Sequence, residues 1–171
     1  MRTSNKIAFM GVMLALVLVT LFIAVLMPMN RLFFTALSSV FVAMVIMEIN
    51  VTYGWMFYLA SSVLAFLLIP LKSIALLYAA LFGIYGIVKG YIEKIRDRRA
   101  EMVLKLLFFN ASIFIIYKAA SLVAISQAVQ IPRWPIIVLW LIAQVAFLIY
   151  DYAYTLFLRI YQKRIRRFTQ R

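Results

Sequence analysis

The sequence predicts an all-α integral membrane protein with six transmembrane helices and both termini in the cytoplasm. Three observations predict it. The chain is 67% hydrophobic and only 13% charged, with a mean hydropathy of +1.04, whereas a soluble domain is about 45–50% apolar and about 25% charged. Six stretches approach the ~20 apolar residues that a spanning helix needs. The basic residues gather at the ends of those stretches, as membrane orientation and contact with anionic headgroups require. A net charge of +13 therefore points to a membrane surface and not to nucleic acid. Disorder and an ordinary cytosolic enzyme are excluded on the same grounds.

The spans follow in order along a single six-helix domain. The first covers residues 7–27 and ends at Pro28; the second covers 32–49. The third, 52–69, is closed by Pro70, and the fourth runs over 73–92. The fifth is 106–129 and the sixth 134–160, with Pro132 and Pro135 marking the turn between them, because proline cannot continue a helix. The weakest boundary is the short link 48–52; were it helical, the count would fall to five. Charge decides for six. With the N-terminus inside, 14 of the 18 basic residues fall on the cytoplasmic side and 3 (Arg31, Lys72 and Arg133) on the other, with Lys118 inside a span. Five spans would put the two largest basic clusters on opposite sides. The apolar run after Lys6 is too long for a signal-peptide core, and no small-residue cleavage site follows it. Residues 89–105 form a basic cytoplasmic loop, read as a surface helix or an extension of the fourth span, and 159–171 form a basic tail.

Residues able to carry chemistry are few. There is no Cys and no His, so disulfides, thiol nucleophiles, His-based metal sites and a catalytic triad cannot be built. No enzymatic activity and no cofactor are expected. Charges inside spans are costly and mark function or structural pairing. Lys118 in the fifth span and Asp151 in the sixth differ in depth by roughly 8–10 Å, which a lysine could nearly bridge. An ion pair, a substrate contact and a proton relay all remain open for them. At 100° per residue, Asn110, Tyr117 and Ser121 share one stripe of the fifth span, with Lys118 at its edge. Trp140, Gln144, Asp151 and Thr155 share another on the sixth. Such stripes suit either a small-molecule site or hydrogen bonds that hold the bundle together. On the first span, Ala8, Gly11 and Ala15 form a small-residue strip, which lets helix backbones approach closely, within the monomer or against a partner. Gly83, Gly86 and Gly90 give the fourth span a second such surface. Asn50-Val51-Thr52 fits a glycosylation sequon but falls on the cytoplasmic side.

Size, span count and topology resemble the substrate-binding S-component of an energy-coupling factor (ECF) transporter. The motif-like part of the resemblance is in the first thirty residues: Lys6-Ile7-Ala8-Phe9-Met10-Gly11-Val12-Met13-Leu14-Ala15, then Leu26-Met27-Pro28 closing the span. The fourth span, with Leu81-Phe82-Gly83-Ile84-Tyr85-Gly86, is similar in character. The family's glycine-rich turn after the second span is reduced here to residues 50–54. Less closely, the chain resembles small six-span rod-shape proteins of the MreD type, without their acidic motif in the middle spans. The ECF resemblance implies uptake of a vitamin-like micronutrient across a bacterial plasma membrane. The chain would dock through Ala8, Gly11 and Ala15 on a transmembrane coupling subunit driven by two cytoplasmic ATPases, and topple to release substrate inside. By position, Arg31, Lys72, Arg133 and Trp134 would rim the outer mouth, and Tyr117, Lys118, Ser121, Trp140 and Gln144, with Asn110 and Asp151, would line the site. Cations at the mouth suit an anionic substrate. The MreD-like resemblance implies instead a scaffold that transports nothing.

Overall fold

The computed structural model describes residues 3–95, 97–122 and 136–169. The described residues are 93% helical, and among them six helices are long and apolar enough to cross a membrane. These are the helices of a multi-pass membrane protein. The first three are α1 (Thr3–Leu26), α2 (Arg31–Glu48) and α3 (Val51–Leu68). The fourth span, Lys72–Ile92, is composite: α4 (Lys72–Leu77), a π-helical turn Tyr78–Phe82, and α5 (Gly83–Ile92). The fifth is α6 (Arg98–Leu122) and the sixth α7 (Ile136–Thr169).

The breaks have local causes. Pro28 opens a 3-10 turn, Pro28–Asn30, that redirects the chain between α1 and α2. The short link after α2 is a true break, so the count is six. Asn50 is fully extended, and its side chain accepts a hydrogen bond from the Tyr53 N–H at 2.9 Å, capping α3. Gly54 then lets α2 and α3 meet closely, because a Cβ there would collide with the Ile46 side chain. At the far end of α3, Lys72 Nζ donates to the Ile69 carbonyl at 3.2 Å and also to that of Phe66. Carbonyls at the helix C-terminus, which lack intrahelical donors, are thereby satisfied.

The segment 89–105 is less of a loop than its charge suggests. Lys89 belongs to α5, a turn at Glu93 and Lys94 follows it, and α6 starts at Arg98. The start of α6 is a charged helical stretch ahead of its apolar part.

The chain divides into two compact units, Met1–Ala128 and Val129–Arg171. In the first, α1 packs on α2, α2 packs on α3 and the fourth span, and α6 packs on the fourth span around the π turn. Val17, Leu21 and Ala24 of α1 are fully buried. Val42 and Val45 of α2, Tyr78, Tyr85 and Ile87 of the fourth span, and Phe109 of α6 continue this core. Large apolar side chains also cover the outside, among them Leu26, Phe33, Leu67 and Phe114, as a lipid-facing surface requires. The second unit is α7, whose 34 residues make ~51 Å of helix at 1.5 Å per residue. That exceeds the ~30 Å apolar core of a bilayer, so its basic end extends past the hydrocarbon.

Candidate functional site

Near the middle of the first unit, α3 and the π turn are joined by hydroxyl groups. A π turn shifts the hydrogen-bond ladder by one residue: the Gly83 N–H reaches back to the Tyr78 carbonyl. Tyr58 of α3 donates its hydroxyl to the Ala79 carbonyl inside that turn at 2.8 Å. The Tyr78 hydroxyl lies 2.7 Å from Ser61 Oγ, which is 3.0 Å from the Tyr58 carbonyl. A consistent order of donors is Tyr78 to Ser61, Ser61 to the Tyr58 backbone, and the Tyr58 hydroxyl to Ala79. Both tyrosine rings close over Gly83, where an added Cβ would stand 3.0 Å from the Tyr78 carbonyl oxygen and 3.1 Å from each ring. Thr20, Thr35, Ser38 and Ser39 bond carbonyls three or four residues back on their own helices. These buried hydroxyls serve the bundle itself.

At the end of the bundle where α5 meets α6, four charges interlock. Lys89 is 2% exposed and Lys105 5% exposed. Glu93 lies 2.9 Å from the Lys89 ammonium and 3.5 Å from that of Lys105, and Glu101 lies 2.6 Å from Lys105. The Lys89 ammonium is also 5.8 Å from the centroid of the Tyr85 ring. Two ammonium groups and two carboxylates balance in charge, which is what allows lysines at this depth. The cluster clamps the end of the fourth span to the start of the fifth. Sequence reasoning missed it, although Lys89/Glu93 and Glu101/Lys105 both have the i,i+4 spacing that signals helical ion pairs.

The small-residue strip of α1 has a different environment. Ala8, Gly11 and Ala15 are all exposed, and a Cβ built on Gly11 would meet nothing within 4 Å. The buried residues of α1, Val17, Thr20, Leu21 and Ala24, all lie in its second half. The first half therefore presents a smooth open face. Lys6 fixes its position, with its ammonium 5.2 Å from the centroid of the Tyr53 ring at the start of α3. Of the glycines on the fourth span, Gly83 is the close-approach position, whereas Gly90 has open space beside it.

The predicted pocket residues distribute as follows. Asn110, Tyr117 and Lys118 stand on α6 away from the face formed by Lys105, Phe109 and Ser112, which is buried in the bundle. Asn110 donates to the Leu106 carbonyl at 2.7 Å. Tyr117 is 70% exposed, and the Lys118 ammonium lies 5.8 Å from the centroid of the Phe114 ring. Trp140, Gln144 and Asp151 are on α7 and so in the second unit; there Thr155 donates to the Asp151 carbonyl at 2.8 Å. Arg31 is exposed at the start of α2. Ser121 falls where only the backbone is described, and Arg133 and Trp134 lie outside the described residues. No family model, curated protein or solved structure matches the chain.

Proposed function

We propose that this chain is a membrane-embedded subunit that docks through α1 on a transmembrane partner, and that it binds a small solute for uptake driven by ATPase subunits on other chains. The observation that supports this reading is the strip Ala8, Gly11 and Ala15, which is exposed on α1. In lipid there is little hydrophobic force between helices, so association depends on close backbone approach, and small residues permit it. The same strip lies within the segment where the resemblance to an S-component is motif-like. The solute would be held by Asn110, Tyr117, Lys118, Ser121, Trp140, Gln144 and Asp151, with Arg31 and Arg133 near the mouth. The location is a bacterial plasma membrane with both termini inside.

A second reading is favoured by a separate observation. The buried hydroxyls of Thr20, Ser38, Ser39, Ser61 and Tyr78 bond to their own helices or to one another, as in a structural scaffold of a cell-envelope complex. Two measurements on detergent-purified protein separate the readings. A solute-binding subunit is stabilised by one vitamin-class compound, by ~2.7 kcal/mol at a hundredfold excess over Kd, and Lys118→Ala abolishes that shift. A scaffold gains nothing from any compound and co-purifies with wall-synthesis proteins in place of ATPases. Docking through α1 fails if Gly11→Leu/Ala15→Leu leaves every membrane partner bound.

A further inference from the structure

A shallow, open apolar groove lies at the basic end of the first unit, where α2, α3 and α5 converge. Ile46, Val51, Gly86, Ile87 and Gly90 form its apolar wall, and Lys94 stands at it. Gly86 and Gly90 are one helical turn apart, so no side chain interrupts the wall along α5. A Cβ at Gly90 would meet nothing within 4 Å. The exposed Lys94 ammonium lies over the Tyr91 ring, 5.0 Å from its centroid.

The charges around this groove are sorted unequally. Glu93 is held by Lys89 and Lys105, and Glu101 by Lys105. Asp97 accepts a hydrogen bond from the Arg99 backbone N–H at 3.0 Å. The carboxylates of the turn are thus engaged within the protein, while Lys94 stays exposed at the groove. An apolar groove that ends at an exposed cation matches a molecule with a hydrocarbon chain and an anionic head.

We propose that this groove is a site for one anionic phospholipid, with an acyl chain lying along Gly86 and Gly90 and the phosphate held at Lys94. The groove opens at the level where headgroups meet hydrocarbon, and basic pockets between spans on such a face recognise anionic headgroups. A neutral lipid would leave Lys94 uncompensated. The site does not depend on the docking reading of α1.

The test titrates the delipidated full-length protein with phosphatidylglycerol or phosphatidylcholine and counts bound lipid by native mass spectrometry. Wild type should take up one phosphatidylglycerol in preference to phosphatidylcholine. Gly90→Leu fills the groove and should abolish that adduct. Lys94→Gln should weaken phosphatidylglycerol binding about five-fold, equivalent to the ~1 kcal/mol contributed per cation near an anionic surface, and leave phosphatidylcholine unchanged. Lys94 is exposed, so its variant keeps the fold and decides the matter even if Gly90→Leu does not. Equal uptake of the two lipids by wild type, or undiminished phosphatidylglycerol binding by Lys94→Gln, overturns the site. A Gly90→Cys variant that cross-links to a second protein in native membranes overturns it in favour of a protein occupant.

Discussion

Glu93 is the carboxylate that two buried ammonium groups share, at 2.9 Å from Lys89 and 3.5 Å from Lys105. Replacing it by glutamine keeps the shape and removes the charge. Lys105 retains Glu101 at 2.6 Å, so the loss falls on Lys89, which is 2% exposed. Removing one partner of a buried pair costs about 3–5 kcal/mol. Glu93 is 39% exposed, and we expect Glu93→Gln to cost about 2 kcal/mol because water can take over part of its role. Thermal unfolding in detergent should show this as a lowered Tm that Lys89→Met, by removing the buried charge that has lost Glu93, partly restores. An unchanged Tm in Glu93→Gln would show the cluster to be ornamental. Each i,i+4 pair could be read from the sequence. The link from Glu93 to Lys105 could not, because it depends on how α6 packs against α5.

Helix by helix, what the sequence discloses depends on whether the signal is local. Pro28, Pro70 and the polar link at Asn50 mark breaks, and the structure places breaks at all three. Proline and an N-cap act within a turn of their own position, so no tertiary information is needed. The π turn at Tyr78–Phe82 carries no such signal. Tyr78-Ala79-Ala80-Leu81-Phe82 is as apolar as ordinary helix, and only the Tyr58 hydroxyl and the space at Gly83 explain the shifted ladder. The register of the Asn110/Tyr117 stripe was readable from 3.6-residue periodicity, but not which face of α6 meets the bundle. Lipid is as apolar as the core, so hydrophobic pattern loses its power to tell inside from outside. The two glycines test this contrast. Gly83→Ala should destabilise by about 1–3 kcal/mol, since a methyl group must be fitted against a backbone carbonyl and two tyrosine rings. Gly11→Ala should be neutral or stabilising by up to ~1 kcal/mol, because helix propensity is gained where nothing stands in the way. Equal Tm changes for the two would mean that α1 and the fourth span are equally packed, contrary to the geometry.

Across the whole molecule, charge and connectivity have to agree on one orientation. Lys6 over the Tyr53 ring ties the start of α1 to the start of α3, and the clamp around Lys89 and Lys105 lies where α5 gives way to α6. Alternating spans put these at one end of the first unit, with Arg31 and Lys72 at the other. The chain thus concentrates Lys6, Lys94, Arg98 and Arg99 on one side, and the positive-inside rule predicts that this side is cytoplasmic. Because the sequence has no cysteine, single cysteines give an uncluttered test. Met29, 99% exposed in the turn after α1, and Ser73, exposed at the start of the fourth span, should react as cysteines with an impermeant maleimide added to intact cells. Ser4→Cys and Arg99→Cys, both at exposed positions, should react only in inverted vesicles. Labelling of Met29→Cys from the inside would invert the topology and move the basic face to the outer leaflet. Labelling of Met29→Cys and Ser73→Cys from opposite sides would be more damaging, since α2 and α3 would then have to cross the membrane once between them, and Asn50 would no longer be a turn.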